Sequence, residues 1–168
     1  MKLSAGHRRV PPVYAPRVSS SASHPSGIFP PLDPKTSTST VEMRVRFCET
    51  DLMGIVHHAS YLVYFEAGRV EWLRRRGVTY AEWAERGVHL PVVEAHASYR
   101  APARFDDLLA VDTTLAELRS VSMKFAYVIR RGETKLVEGF TRLGCIDASH
   151  KLIRIPDYMR DVLSAGEP

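Results

Sequence analysis

The chain has two cysteines in 168 residues, Cys48 and Cys145, and no Cys-x-x-Cys spacing. That scarcity excludes a disulfide scaffold and a cysteine-built zinc site. No apolar run approaches the roughly eighteen residues that a bilayer-crossing helix needs, and the start lacks the continuous apolar core of a secretory signal. No membrane span is expected, and a reducing cytoplasm is the expected compartment. Acidic residues are scarce at one end: residues 1–40 hold Lys2, Arg8, Arg9, Arg17 and Lys35 against Asp33 alone, while the rest balances at 18 basic and 18 acidic. The net charge of +4 therefore lies in a Pro- and Ser-rich stretch with no periodic apolar face, and the balanced remainder argues against a nucleic-acid partner. Residues 1–40 are expected to form a disordered extension. A transit peptide is the second reading, opposed by scattered prolines that break a long amphipathic helix, and translation beginning at Met43 is the third. With 45% hydrophobic residues, the chain can fill one core, so residues 41–165 are expected to be a single domain.

What is present is concentrated between Phe47 and Leu73. A short loop carrying Asp51, His57 and His58 feeds a segment in which, from Tyr61 to Leu73, the charged residues are Glu66, Arg69 and Glu71. A helix this apolar is expected to be buried nearly all round. At about 100° per residue, Tyr61, Phe65, Gly68 and Trp72 share one side and Val63, Ala67 and Val70 the opposite one, so both need a covering surface. Glu66 and Arg69 can pair three apart on the flank. Arg74, Arg75 and Arg76 put positive charge at the carbonyl end, and Gly77 can take the left-handed closing position.

Thr79 to Glu82 has the Ser/Thr-x-x-Glu form that caps a second short helix over 79–86. The period then changes. Val121, Met123, Phe125, Tyr127 and Ile129 alternate with Ser122, Lys124, Ala126, Val128 and Arg130, which predicts a strand with one covered face. Arg131-Gly132-Glu133 supplies a turn into a partner strand over 134–146. Stretches near 41–48, 89–100, 108–118 and 150–155 also read as strands, and 157–164 as a terminal helix. A strand, a loop, a long buried helix and several antiparallel strands make a segregated α+β pattern, in which a curved sheet wraps the helix.

Two segments carry a family resemblance. Asp51-Leu52-Met53-Gly54-Ile55-Val56-His57-His58-Ala59-Ser60-Tyr61 follows an Asp-x-x-Gly-x-Val-x-(His or Tyr)-x-x-Tyr pattern, and Tyr99-Arg100-Ala101-Pro102-Ala103-Arg104-Phe105-Asp106-Asp107 is close to a Tyr-x-x-Pro-Ala-x-x-x-Asp segment. From about Met43 to Leu163 the chain resembles the hotdog-fold acyl-CoA thioesterases of the 4-hydroxybenzoyl-CoA thioesterase and YbgC type. The resemblance implies a hotdog fold, hydrolysis of an acyl-CoA thioester to an acid and CoA, no metal or organic cofactor, and a homodimer or homotetramer.

Thioester hydrolysis needs a group that polarises the carbonyl and one that delivers oxygen. The unpaired N–H groups and positive dipole end of a helix start suit the first, and the backbone at His58, with neighbours such as Ala59, lies about there. A carboxylate suits the second, as general base or nucleophile. On spacing alone Asp51 reads as a turn or capping residue; the resemblance makes it the catalytic carboxylate. His58 takes an auxiliary catalytic role beside it, with a hydrogen-bonded structural histidine as the plainer reading. Tyr61 reads mainly as packing, its hydroxyl a weaker substrate-binding candidate. Gly54 fits close approach of backbone to ligand or a simple turn. By resemblance Arg119, Ser120 and Ser122 fall at the turn where the family contacts CoA, Arg119 as a phosphate ligand.

Cys48 reads as a small buried hydrophobe rather than a nucleophile. Metal binding by His57 and His58 with a distant His89 or His96 has no spacing in its favour. Glu66 is assigned to structure, since Arg69 offers it a partner. Two rivals share the fold: another hotdog enzyme, such as a dehydratase or acyl-carrier-protein thioesterase, and a noncatalytic acyl-CoA-binding protein.

Overall fold

The structure is a computed structural model that describes residues 38–164. Five antiparallel strands form one sheet in the order β1-β4-β5-β6-β3, where β1 is Thr38–Arg44, β3 Val92–Tyr99, β4 Leu108–Leu118, β5 Ser122–Arg131 and β6 Thr134–Gly144. A separate two-stranded pair joins β2, Val88–His89, to β7, Ile146–Asp147. The helices are α1, Ser60–Arg74, α2, Tyr80–Glu85, and α3, Asp157–Ser164. This is the segregated α+β hotdog arrangement, with α1 lying against the sheet.

The sheet forms where the alternation predicts it. In β5, Met123, Phe125, Tyr127 and Ile129 are buried on the helix side, and Gly132 at φ 56° makes the turn into β6. Phe65 of α1 stacks on Tyr127 at 4.3 Å and 7°, and Trp72 meets Phe125 edge-on at 5.2 Å. These rings bury large apolar areas and fix the helix against the strands. Two glycines let the layers approach. A Cβ at Gly68 would strike the Thr113 hydroxyl and Val111, and one at Gly139 would strike the His96 carbonyl and come within 2.6 Å of the Phe65 ring.

The helix ends follow their sequence signals. Gly77 adopts φ +74°, and its N–H bonds the Arg74 carbonyl at 2.9 Å. The Thr79 N–H donates to Glu82 Oε2 at 2.7 Å while the Glu82 N–H donates to Thr79 Oγ1 at 3.3 Å, so α2 has its capping box.

Several expectations need correction. The α1 helix is not buried all round: Leu62, Val63 and Glu66 are exposed, Val63 by 55%, because one sheet covers one side of a helix. The expected Glu66–Arg69 pair does form, at 3.8 Å, and the buried Arg69 guanidinium also donates to the Tyr80 and Tyr127 hydroxyls at 2.9 and 3.4 Å. The strand expected over 41–48 starts at Thr38 and stops at Arg44, after which Phe47–Glu49 form a 3-10 turn. Residues 38–40 thus belong to the sheet, and the remainder of the extension expected over 1–40 lies outside the described residues. The run over 89–100 is broken at Leu90-Pro91, as a residue lacking an N–H must break a ladder. Over 150–155 one bridge forms, between Leu152 and Ile146. Among the described residues no helix is long and apolar enough to cross a membrane.

Candidate active site

Between β1 and α1 the chain folds back on itself. Thr50 and Val56 form an antiparallel bridge, the Asp51 N–H donates to the Ile55 carbonyl at 2.9 Å, and the Gly54 N–H donates to the Asp51 carbonyl at 2.9 Å. Gly54 closes this tight hairpin at φ +70°, in open space where a Cβ would meet nothing within 4 Å. Its glycine is explained by the left-handed turn. The hairpin is pinned to the second motif segment by the Val56 N–H, which donates to the Ala103 carbonyl at 2.8 Å.

Asp51 stands at the first corner. Its Oδ1 accepts the Met53 N–H at 2.8 Å, which is the turn-forming use of an Asp side chain, and Oδ2 has no hydrogen-bond partner among the described residues. The turn reading and the catalytic reading are therefore compatible: the bond that forms the turn engages one oxygen only.

The start of α1 faces the same space. Its N-cap, Ala59, offers no side-chain oxygen, so the first amides lack the usual cap. The Ala59 N–H donates to His57 Nδ1 at 3.3 Å and the Ser60 N–H to the His57 carbonyl at 2.9 Å. That bond leaves Nδ1 of His57 as the acceptor nitrogen. Among the described residues the His58 N–H has no acceptor, while the His58 carbonyl accepts the Tyr99 hydroxyl at 3.1 Å. Of the two amides expected to polarise a carbonyl, the one at His58 is open and the one at Ala59 is occupied.

A pocket of about 320 Å³ brings these groups together, lined by Asp51, Met53, His58, Tyr61, Tyr99 and Arg100 among others. Tyr61 contributes its ring; its hydroxyl accepts the Ala103 N–H at 3.3 Å, and burial holds its pKa above the ordinary value. Gly54 shapes the hairpin without lining the pocket. Arg119, Ser120 and Ser122 do not line it either. They form the β4–β5 turn, where the Arg119 N–H donates to the Ser122 carbonyl at 2.8 Å and the Arg119 guanidinium pairs with Glu117 at 3.0 Å. Ser120 instead borders a separate cavity of about 350 Å³ with Arg154, Asp157 and Arg160.

Sequence reasoning passed over Glu49, Tyr64, Tyr99, Arg100 and Met53. Tyr99 and Arg100 were within the quoted second segment, and no local signal shows that the end of β3 lands beside the start of α1. Glu49 was hidden as one more polar loop residue. Its carboxylate, 7% exposed, accepts the Arg46 N–H at 2.7 Å, the Arg46 guanidinium at 2.8 and 3.0 Å and the Tyr64 hydroxyl at 2.8 Å. Burial works to raise the Glu49 carboxyl, and the Arg46 and Tyr64 bonds outweigh it, holding it below the ordinary carboxylate value. Burial and the Glu49 carboxylate together push Tyr64 well above the ordinary phenol value. Cys48, expected to be buried, is exposed in the 3-10 turn; Cys145 is buried, and burial raises its thiol. Among the described residues no group of three His, Cys, Asp or Glu side chains is arranged to hold a metal ion.

Comparison with known proteins identifies the family. Residues 45–163 match the model of the thioesterase-like superfamily. The chain is 33% identical over 120 residues to a putative esterase of Aquifex aeolicus, an alignment covering 71% of this chain and 93% of that protein. It is 33% identical over 106 residues to the acyl-CoA thioester hydrolase YbgC of Escherichia coli, covering 62% and 79%. The crystal structure of a hypothetical protein, TT1821, from Thermus thermophilus superposes with a TM-score of 0.73 at 45% identity, covering 75% of this chain and 97% of that one. The chain belongs to the thioesterase-like superfamily, as a hotdog-fold thioester hydrolase related to the YbgC-type acyl-CoA thioesterases.

Proposed function

We propose that the protein hydrolyses an acyl-CoA thioester to a carboxylic acid and free CoA, with Asp51 and the His58 amide as its reacting pair. The reading is supported by the fact that Asp51, whose Oδ2 has no partner among the described residues, and His58, whose N–H two residues before α1 has no acceptor among them, line the same pocket. The His58 N–H binds the thioester carbonyl oxygen and stabilises the negative charge that forms on it. Asp51 Oδ2 takes a proton from water as the water oxygen attacks the carbonyl carbon. The C–S bond then breaks, CoA leaves as thiolate and takes up a proton, and the acid departs. Alternatively Asp51 Oδ2 attacks the carbonyl carbon itself, the C–S bond breaks and CoA leaves as thiolate, and water then cleaves the mixed anhydride to the acid and the Asp51 carboxylate. The His58 side chain, also at the pocket, assists by orienting the thioester.

Arg119, with Ser120 and Ser122, is proposed to contact the CoA phosphates. None of the three lines the Asp51 pocket and Ser120 borders a different cavity, so in this reading the CoA handle extends away from the reacting end towards the β4–β5 turn of the same or a second copy. A homo-oligomer is part of the proposal. Leu62 and Val63 on α1 and Val92 and Val93 on β3, an edge strand with one side unpaired, leave apolar surface and backbone donors uncovered in one chain. Light scattering of the purified protein is expected to give a dimer or tetramer; a monomer at micromolar concentration contradicts it.

The activity itself is tested with a panel of aromatic and short- to medium-chain aliphatic acyl-CoA thioesters, following released thiol. Turnover of at least one is expected. Tight binding across the panel with no thiol released would identify a noncatalytic acyl-CoA-binding protein instead, and preference for the acyl-carrier-protein thioester over every CoA ester would move the substrate class.

A further inference from the structure

The hairpin that bears Asp51 contains a second carboxylate that the chemistry does not use. Glu49 is buried, and burying a charge is unfavourable unless hydrogen bonds replace its water. Both of its oxygens are served: Oε1 by Nε and Nη2 of Arg46, and Oε2 by the Arg46 N–H and the Tyr64 hydroxyl. Its backbone is equally engaged. The Glu49 carbonyl accepts the His57 N–H at 2.8 Å and the Ser60 hydroxyl at 3.3 Å.

The ends of these bonds are informative. Arg46 is the entry to the hairpin, Asp51 follows Glu49 by two residues, His57 immediately precedes the open amide of His58, and Ser60 is the first residue of α1. Tyr64, one turn further along, packs edge-on against the Tyr61 ring at 5.8 Å, and Tyr61 lines the pocket. Through Tyr64 and Tyr61 the network joins the same core as Phe65, Trp72, Phe125 and Tyr127, which is why unfolding must be measured beside kinetics.

We propose that the Glu49 carboxylate is a positioning group for thioester hydrolysis: by tying Arg46 to Tyr64 it fixes the backbone whose carbonyl accepts the His57 N–H, and so holds the Asp51 corner and the His58 amide at a fixed separation. This rests on the reading of Asp51 and His58 as the reacting pair. Glu49 itself does not line the pocket and takes no proton from substrate or water. Its role follows from the geometric tolerance of the reaction, in which a displacement of about 1 Å between reacting groups can cost about a hundredfold in rate.

The test uses the full chain and a thioester that the wild type hydrolyses, with kcat, KM and thermal unfolding measured in parallel for Glu49→Gln, Glu49→Asp, Tyr64→Phe and Asp51→Asn. Glu49→Gln keeps the size, removes the charge and turns an N–H donor towards one of the donors that Glu49 now receives. Its kcat is expected to fall about ten- to a hundredfold, with KM within about threefold, at temperatures where unfolding shows the variant fully folded. Glu49→Asp keeps the charge and is expected to recover part of that loss, and Tyr64→Phe, which deletes one hydroxyl, to show a smaller fall in kcat. A folded Glu49→Gln with wild-type kcat overturns the positioning role, even if its melting temperature has dropped. Should Glu49→Gln fail to fold, Tyr64→Phe decides, and wild-type kcat there overturns the role. If Asp51→Asn keeps wild-type turnover, the site reading falls and the positioning role with it; if Asp51→Asn is inactive while Glu49→Gln is unimpaired, the positioning role falls by itself.

Discussion

Asp51 forms a turn and is proposed to serve the reaction as well. Its Oδ1 is held by the Met53 amide, so the carboxylate is oriented before any ligand arrives. The residue type and its spacing to Gly54 and His58 were visible in the sequence; which oxygen is free was not, because that depends on the hairpin closing through Thr50 and Val56. His58 divides into two parts with different weight. Its amide is proposed to bind the carbonyl oxygen and its ring to assist, so His58→Ala keeps the amide and loses the ring. The expected result is a fall in kcat of about three- to tenfold, the scale of one ordinary hydrogen bond. Steady-state kinetics check it, and an unchanged rate would make the ring structural. Glu49 was illegible for the opposite reason, since its partner Tyr64 is fifteen residues away and joins it through tertiary packing.

At the level of elements, the long helix and its surroundings explain what sequence patterns reveal. Helix α1, the capping box of α2, the alternating face of β5 and the helix over 157–164 all rest on local periodicity or capping chemistry, and all are found. The ends of strands depend on neighbours. Pro91 divides the run after Val88, and Phe47–Glu49 coil into a 3-10 turn because Glu49 reaches back to the Arg46 N–H. The same dependence hides Tyr99 and Arg100, which reach the pocket because β3 pairs with β6 at the sheet edge beside α1. Close contact between α1 and β4 yields a direct prediction. Gly68→Ala places a methyl against the buried Thr113 hydroxyl and Val111, and the rigid backbone on both sides limits relief. Denaturant unfolding is expected to show a loss of about 1–3 kcal/mol. A neutral or stabilising result would mean that helix and sheet are less tightly apposed than described.

For the whole molecule, charge and uncovered surface set behaviour beyond the site. The carboxyls of Glu49, Asp107, Asp112, Glu117 and Glu138 are all held below their ordinary values. For Glu117 and Glu138 the leading cause is an arginine bond, from Arg142 and Arg100; for Glu49, Asp107 and Asp112 burial pushes the other way and is outweighed by bonds that include one from an arginine. A carboxyl with a depressed folded pKa binds fewer protons folded than unfolded, so its contribution to stability is full above the unfolded values of 4.5 for Glu and 3.8 for Asp. It is lost as pH falls through the folded values. The melting temperature is therefore expected to decline below about pH 4, and a curve flat from pH 6 down to pH 3 would contradict these pairings. The side of α1 expected in the sequence to need a second cover is only partly covered among the described residues, with Val63 exposed and Ala67 and Val70 half-buried, and a second copy is proposed to cover the rest.

The most direct test of the central claim is the turnover number of Asp51→Asn beside wild type on the same acyl-CoA, with binding measured separately. The substitution preserves shape and the bond from the Met53 amide while removing the carboxylate charge. The account predicts a fall in kcat of at least about a hundredfold with acyl-CoA still bound. Wild-type turnover in the folded variant would show that another group delivers the oxygen.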